Sequence, residues 1–183
     1  LTEELIDILQ GCIKGKRAAQ ERLYKMYSAK MFSVCLRYSR NYEDAKDTLQ
    51  DGFIKVFEKI NQFKNKGSLE GWIRRVIANT ALEKYRRSNP VIVLEQIPEV
   101  REEDEDETFH PQVSMNEMLG YIQALPDRYR MVFNLYVFEE LTHKEIANNL
   151  GITEGTSKSD LSRARTILQN KINSRVRQIA QTG

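Results

Sequence analysis

Apolar residues recur every three or four positions along nearly all of this 183-residue chain, and the pattern stops only once. That spacing is what an amphipathic helix needs to lay one face on a core. Leu23, Tyr27, Met31, Val34 and Cys35 follow it. So do Leu49, Phe53, Val56, Phe57 and Ile60, and then Trp72, Val76, Ile77, Thr80 and Ala81. Strand-like alternation is nearly absent; the run VIVL at 91–94 is the one short candidate.

The interruption runs from Asn89 to about Val113. Residues 90–113 hold eight acids against one base, Arg101, and three of the four prolines. Such a stretch cannot bury enough apolar surface to fold alone. The expected fold class is therefore all-α. Two small helical domains, 1–88 and 115–183, are joined by an acidic flexible linker, 89–114. The linker also hides the charge of the rest. The whole chain carries +2 and the linker −7, which leaves +9 elsewhere. Basic helical domains suit a nucleic-acid partner, although lysine-rich helix surfaces also occur without one.

Several classes are disfavoured. Cys12 and Cys35 are far apart and, with His110 and His143, offer no zinc-ligand spacing. A reduced, cytoplasmic chain is the simple expectation. The opening LTEELIDILQGCIKGK carries acids and breaks its apolar run too often for a signal peptide. No run approaches bilayer length, so no membrane insertion is expected. There is no GxxxxGK[ST] loop. No catalytic residue, metal site or cofactor is expected, and the chain is not read as an enzyme.

The strongest local motif is LTHKEIANNLGITEGTSKSDLSRARTIL, residues 141–168. Thr142 and Glu145 form a capping box, and Ile146, Ala147 and Leu150 an apolar face. Gly151 suits a left-handed helix end, Ile152 the corner, and Thr153 a second cap. On the second helix Ser157, Leu161, Ala164 and Leu168 face inward by spacing. Lys158, Ser159, Ser162 and Arg163 take the opposite side, with Arg165 at its flank. This is a helix-turn-helix with a polar and basic second helix. Arginine and lysine donate to guanine edges, serine donates or accepts, and rim bases hold phosphates. The plainer reading is a helical hairpin with a solvated basic face. Upstream, Tyr129, Val132, Phe133 and Tyr136 read as core rather than as base-stacking residues.

Two segments stand out in the first half. Residues 44–60 form a helix opened by Asn41 and the acids Glu43 and Asp44, with Asp44, Asp47, Gln50 and Asp51 on its polar side. That side is either a solvated face or a docking face for a basic partner. Residues 63–87 hold a polar loop with Gly67, then a helix opened by Ser68 that carries Trp72, Arg74, Arg75, Asn79, Lys84, Arg86 and Arg87. Basic and aromatic residues beside a loop can hold a single strand, though Trp72 and Tyr85 fit a core equally well.

Taken in this order, the blocks resemble the two-domain extracytoplasmic-function (ECF) sigma factors of bacterial RNA polymerase, over about residues 18–88 and 115–178. The resemblance implies a protein that directs core polymerase to promoters and helps open them. Asp47, Gln50 and Asp51 would then dock on the β′ clamp helices. Asn65, Lys66, Gly67, Ser68, Leu69, Trp72, Arg75, Asn79 and Lys84 would melt and read the −10 element, with a flipped base taken up by the loop. Lys158, Ser159, Ser162 and Arg163 would face bases of the −35 element and Arg165 a phosphate. Promoter DNA, the polymerase β flap and an anti-sigma factor are the further partners it brings in. The acidic linker would thread into the polymerase.

Three residues depart from the family pattern: Asp160 where a base is usual, Glu70 where a base is common, and Gly52 where an aliphatic residue is usual. Two rivals are weaker. A free-standing helix-turn-helix regulator would need a ligand or dimer domain at the N-terminus. A nuclease using the acids at 102–107 would need them held in place, and nothing in that low-complexity run does so.

Overall fold

The computed structural model describes residues 2–89 and 113–182. The expected acidic linker, the apolar run at 91–94 and the acids at 102–107 fall wholly or largely outside them. Every regular element among the described residues is helical. The chain divides into two compact units, residues 1–85 and 86–183. No helix among the described residues is long and apolar enough to cross a membrane.

The first unit contains α1 (Glu3–Ile13), α2 (Arg17–Tyr38), α3 (Tyr42–Lys59), a 3-10 turn (Ile60–Gln62) and all but the last three residues of α4 (Leu69–Ser88). Helix starts follow the residues that can supply a cap. Thr2 accepts from the Leu5 N–H at 3.4 Å, and Asn41 from the Asp44 N–H at 2.9 Å. The core face of α2 is Leu23, Met31, Val34, Cys35 and Tyr38; Tyr27, expected on it by spacing, is half-buried. On α4 the buried line is Leu69, Ile73, Ile77, Thr80 and Ala81, with Leu82 and Tyr85. Trp72 and Val76, expected on that line, are only half-buried. Ile77, Thr80 and Ala81 are buried as expected, so Trp72 and Val76, each next to a buried isoleucine, mark the margin of the face.

Gly52 of α3 lies against Ile77 of α4. A Cβ built there would lie 2.3 Å from Ile77 Cδ1, and Ile77 is fully buried. Glycine weakens a helix interior, but here it makes room for a neighbouring side chain.

The second unit contains α5 (Met115–Gln123), α6 (Asp127–Val137), α7 (His143–Leu150) and α8 (Glu154–Thr182). Ile122, Leu125, Ala164 and Leu168 form a core cluster, with Met118, Tyr121, Tyr129, Phe133, Phe138 and Ile167 packed against it. The α5–α6 turn is held by Arg130, only 3% exposed. Its guanidinium donates to the Gln123 and Leu125 carbonyls at 3.0 and 2.8 Å and pairs with Asp127. Those are carbonyls that a helix end leaves without partners. Farther along α8, Arg175 pairs with Glu117 at 2.7 Å and Lys171 lies over the Tyr121 ring. These contacts fasten α5 along α8.

Both capping boxes of this unit are formed: Ser114 with Glu117, and Thr142 with Glu145. The Thr142 hydroxyl and N–H hold the Glu145 carboxyl below its ordinary pKa. The Ser114 N–H and hydroxyl, and then Arg175, do the same for Glu117. A carboxyl lowered on folding adds stability above its unfolded value and loses it as pH falls through its folded value.

Two predictions follow from these contacts. Gly52→Ala lowers stability by about 1–2 kcal/mol through overpacking. Adding Ile77→Val, which deletes the atom in the way, recovers most of that loss; urea denaturation of the four proteins decides. Glu145→Gln keeps an acceptor for the cap but cannot titrate there. Its stability therefore falls less steeply than the parent's on acidification, as read from melting curves across the acid range.

Candidate nucleic-acid interface

On α3 the buried side is Ala45, Thr48, Leu49, Gly52, Phe53 and Val56. Asp47, Gln50 and Asp51 are all exposed on the other side. Ile54 stands among them, 52% exposed, one turn beyond Gln50 and Asp51. It is missing from the residues expected above. Its position, out of phase with the core stripe and in phase with the acids, is the signal that marks it. The face is an apolar centre beside carboxylates, a surface that fits a basic partner with an apolar patch.

The loop before α4 bends through two left-handed residues, Asn65 (φ 55°) and Gly67 (φ 91°). Asparagine tolerates that region and glycine enters it freely. Ser68 accepts from the Gly71 N–H at 2.9 Å and starts the helix. Asn65, Lys66, Gly67 and Ser68 are exposed, whereas Leu69 is 2% exposed and anchors the loop in the core. Trp72 is half-buried and tilted against Phe63, with ring centroids 5.8 Å apart. Arg75 and Asn79 are exposed one turn apart. Lys84 is turned toward α3 instead. Its Nζ lies 3.2 Å from Thr48 Oγ1, 3.6 Å from Asp51 and 4.0 Å from Asp44. Glu70 pairs with Lys30 of α2 at 2.7 Å. Cys35 lies in the core of this unit, where burial pushes its thiol up to about 12.

In the second unit α7 ends at Gly151, whose φ of 68° and ψ of 34° are left-handed. Buried Ile152 fills the corner, and Thr153 accepts from the Thr156 N–H at 3.0 Å. Ser157, Leu161, Ala164 and Leu168 are buried, so the helix rotation expected from spacing holds. Lys158, Ser162 and Arg165 form the open side at spacings of four and three; Lys158 and Arg165 are exposed and Ser162 half-exposed. Ser159 is only 6% exposed and donates to the Thr156 carbonyl at 3.0 Å. Arg163 is half-buried at the edge and donates to Tyr129 Oη at 3.3 Å. The five expected residues therefore do not share one face. Three lie open, one flanks them and one is nearly enclosed.

Asp160 is turned fully inward, with 0% exposure. Arg128 of α6 grips it through two bonds, Nε to Oδ2 at 2.6 Å and Nη2 to Oδ1 at 3.2 Å. Burial raises the carboxyl's pKa; Arg128 and then Arg163 act against that rise. Tyr129 and Tyr136, expected as core, are half-buried, and each touches an arginine of α8. The Arg165 guanidinium lies 5.7 Å from the Tyr136 ring centre, and that ring stacks on His143 at 4.8 Å. His143 Nδ1 is 2.9 Å from Ser157 Oγ. The second helix thus presents lysine, serine and arginine donors on a support tied to α6 and α7. Such donors suit base edges and phosphates.

Comparison with known proteins agrees along the chain. The family model described as Sigma-70 region 2 matches residues 23–90, and that described as Sigma-70, region 4 matches residues 115–168. The ECF RNA polymerase sigma factor SigE of Mycolicibacterium smegmatis is 27% identical over 177 residues, covering 92% of this chain and 68% of the relative. SigW of Bacillus subtilis is 27% identical over 172 residues, covering 87% of this chain and 91% of the relative. The ECF sigma-E factor of Haemophilus influenzae is 28% identical over 187 residues, covering 94% and 98%. Among solved structures, the sigma factor RpoE of Bartonella quintana, in complex with the anti-sigma factor NepR, is similar with a TM-score of 0.50. It is 18% identical, with 84% of this chain and 96% of that chain covered, and shows a shared fold.

Proposed function

We propose how the work of transcription initiation is divided in this chain, which belongs to the ECF sigma factors and carries sigma-70 regions 2 and 4. As a member of that family it is a non-catalytic subunit that brings RNA polymerase to promoters. In our reading the first unit docks on core polymerase through Asp47, Gln50, Asp51 and Ile54 of α3, against the β′ clamp helices. The loop Asn65, Lys66, Gly67 and Ser68, with Trp72, Arg75 and Asn79, takes up the separated strand of the −10 element. Leu69 acts by fixing the loop, and Lys84 by tying the reading helix to the docking helix. In the second unit Lys158, Ser162 and Arg165 meet the −35 duplex, with Arg163 at the edge of that contact; Ser159, nearly enclosed, acts only by bracing the helix backbone. The β flap is the polymerase surface assigned to this unit.

The observation that carries the reading is the openness of the two assigned polar faces, on α3 and α8, on helices whose other sides are buried. Strand opening is energetically adverse, so it needs new contacts to unstacked bases. Positive groups beside a loop can supply them without an energy-consuming step. An anti-sigma factor, the kind of protein named with the Bartonella structure, would have to cover one of these faces to silence the chain. Localisation in the cytoplasm belongs to the same proposal, because the polymerase is there.

Run-off transcription with purified core polymerase and fragmented genomic DNA tests the whole reading. Discrete, protein-dependent starts support it; no starts and no stable complex with core would overturn it. Asp51→Arg is expected to weaken binding to core polymerase at least tenfold, since a buried or rim charge is inverted. Unchanged affinity for core would remove Asp51 from the docking face. Arg163→Ala is expected to cost about 1–3 kcal/mol of upstream binding and to relax specificity at one base pair. Identical ranking of promoter variants before and after would strike Arg163 from the −35 contact.

A further inference from the structure

We propose that Arg128 is a positioning residue for promoter recognition: by holding both oxygens of the Asp160 carboxylate, it keeps that carboxylate from capturing Arg163. The inference rests on the reading of α8 as the helix that meets upstream DNA.

Asp160 and Arg163 are three residues apart on α8, the spacing at which helix side chains meet. Arg163 already acts on Asp160, since its charge is one of those that oppose the raised pKa of that carboxyl. Asp160 is fully buried, and a buried carboxylate without a partner is strongly unfavourable. Remove Arg128 and the nearest remaining cation is drawn in. With Arg128 in place, the partner of Arg163 is a neutral phenol, Tyr129, at 3.3 Å. That bond is long for a hydrogen bond and leaves the guanidinium's charge undiminished. A carboxylate partner would neutralise the charge and hold the fork away from a guanine edge. Arg128 and Tyr129 are neighbours on α6, so one helix both occupies the competing acid and supports Arg163 at the edge of the contact.

The test uses the full chain reconstituted with core polymerase, on a promoter mapped by run-off and on versions with single base pairs changed upstream. Arg163→Ala identifies the base pair at which discrimination is lost. Arg128→Gln is expected to lower discrimination at that same base pair by about tenfold, to the level of Arg163→Ala. Adding Asp160→Asn to Arg128→Gln removes the competing charge and is expected to restore discrimination, although the ion pair is then absent. Asp160→Asn alone keeps it. Circular dichroism fixes a temperature at which each variant is folded; if Arg128→Gln is unstable there, the double variant and Asp160→Asn decide. A purely structural ion pair predicts instead that Arg128→Gln weakens binding to all promoter variants alike, with no loss of discrimination confined to the base pair that Arg163→Ala marks. Failure of restoration, or unchanged discrimination in Arg128→Gln while Arg163→Ala has its effect, overturns this proposal alone. No effect of Arg163→Ala at any base pair overturns the reading beneath it, and the proposal with it.

Discussion

Every α-helix leaves its first N–H groups and last carbonyls without partners, and a chain built of short-linked helices meets that deficit repeatedly. Much of this protein's polar sequence is committed to it. Thr2, Asn41, Ser68, Ser114, Thr142 and Thr153 each accept from a backbone N–H at a helix start. Arg130 serves carbonyls at the end of α5, and left-handed Gly151 closes α7. Such caps are each worth about 0.5–2 kcal/mol, comparable to a sizeable share of a small domain's net stability. They also fix where each helix begins, and so which of its sides turns inward.

Exposure, rather than polarity alone, marks the residues a partner can meet, and it changes the reading of several positions. Ser159 and Lys84 are polar, but the structure engages both: the first with its own helix backbone, the second with three groups of α3. Leu69 belongs to the core and only its neighbours in the loop are presented. Lys158, Arg75, Asn79 and the acids of α3 stay exposed on sides that no core contact uses. Exposed Ile54 shares the side of α3 that carries Asp47, Gln50 and Asp51.

The helical class, the two-unit organisation and the turn at Gly151 were legible because they rest on local rules: period, caps and left-handed conformations. The facing of α8 was legible for the same reason, since Ser157, Leu161, Ala164 and Leu168 define it by spacing. On α4 the same rule placed Ile77, Thr80 and Ala81 correctly and missed at two positions. Trp72 and Val76 are larger or as apolar as their neighbours, and hydrophobicity alone does not tell a half-buried tryptophan from a buried isoleucine. What stayed hidden depends on pairs distant in sequence. Lys84 with Asp51, Arg163 with Tyr129 and Arg128 with Asp160 join residues 32–34 positions apart. No period or motif reports such pairs; only the packing of one helix on another creates them.

The three departures from the family pattern illustrate the point, because each has a partner in the fold. Gly52 admits Ile77, Glu70 pairs with Lys30, and Asp160 is gripped by Arg128. Read in sequence, Asp160 is an acid that is adverse near phosphates and is expected to point away from the groove. In the structure Asp160 has no exposed surface, so it touches no base edge directly. Under the proposed reading of α8, an influence of Asp160 on recognition passes through a neighbour, and Arg163, one turn on, acts on its carboxyl. The same logic applies to Glu70, whose carboxylate is taken up by α2 at the start of the reading helix. Departures that are compensated locally alter how a functional side chain is held, whereas uncompensated ones on an open face alter what it meets.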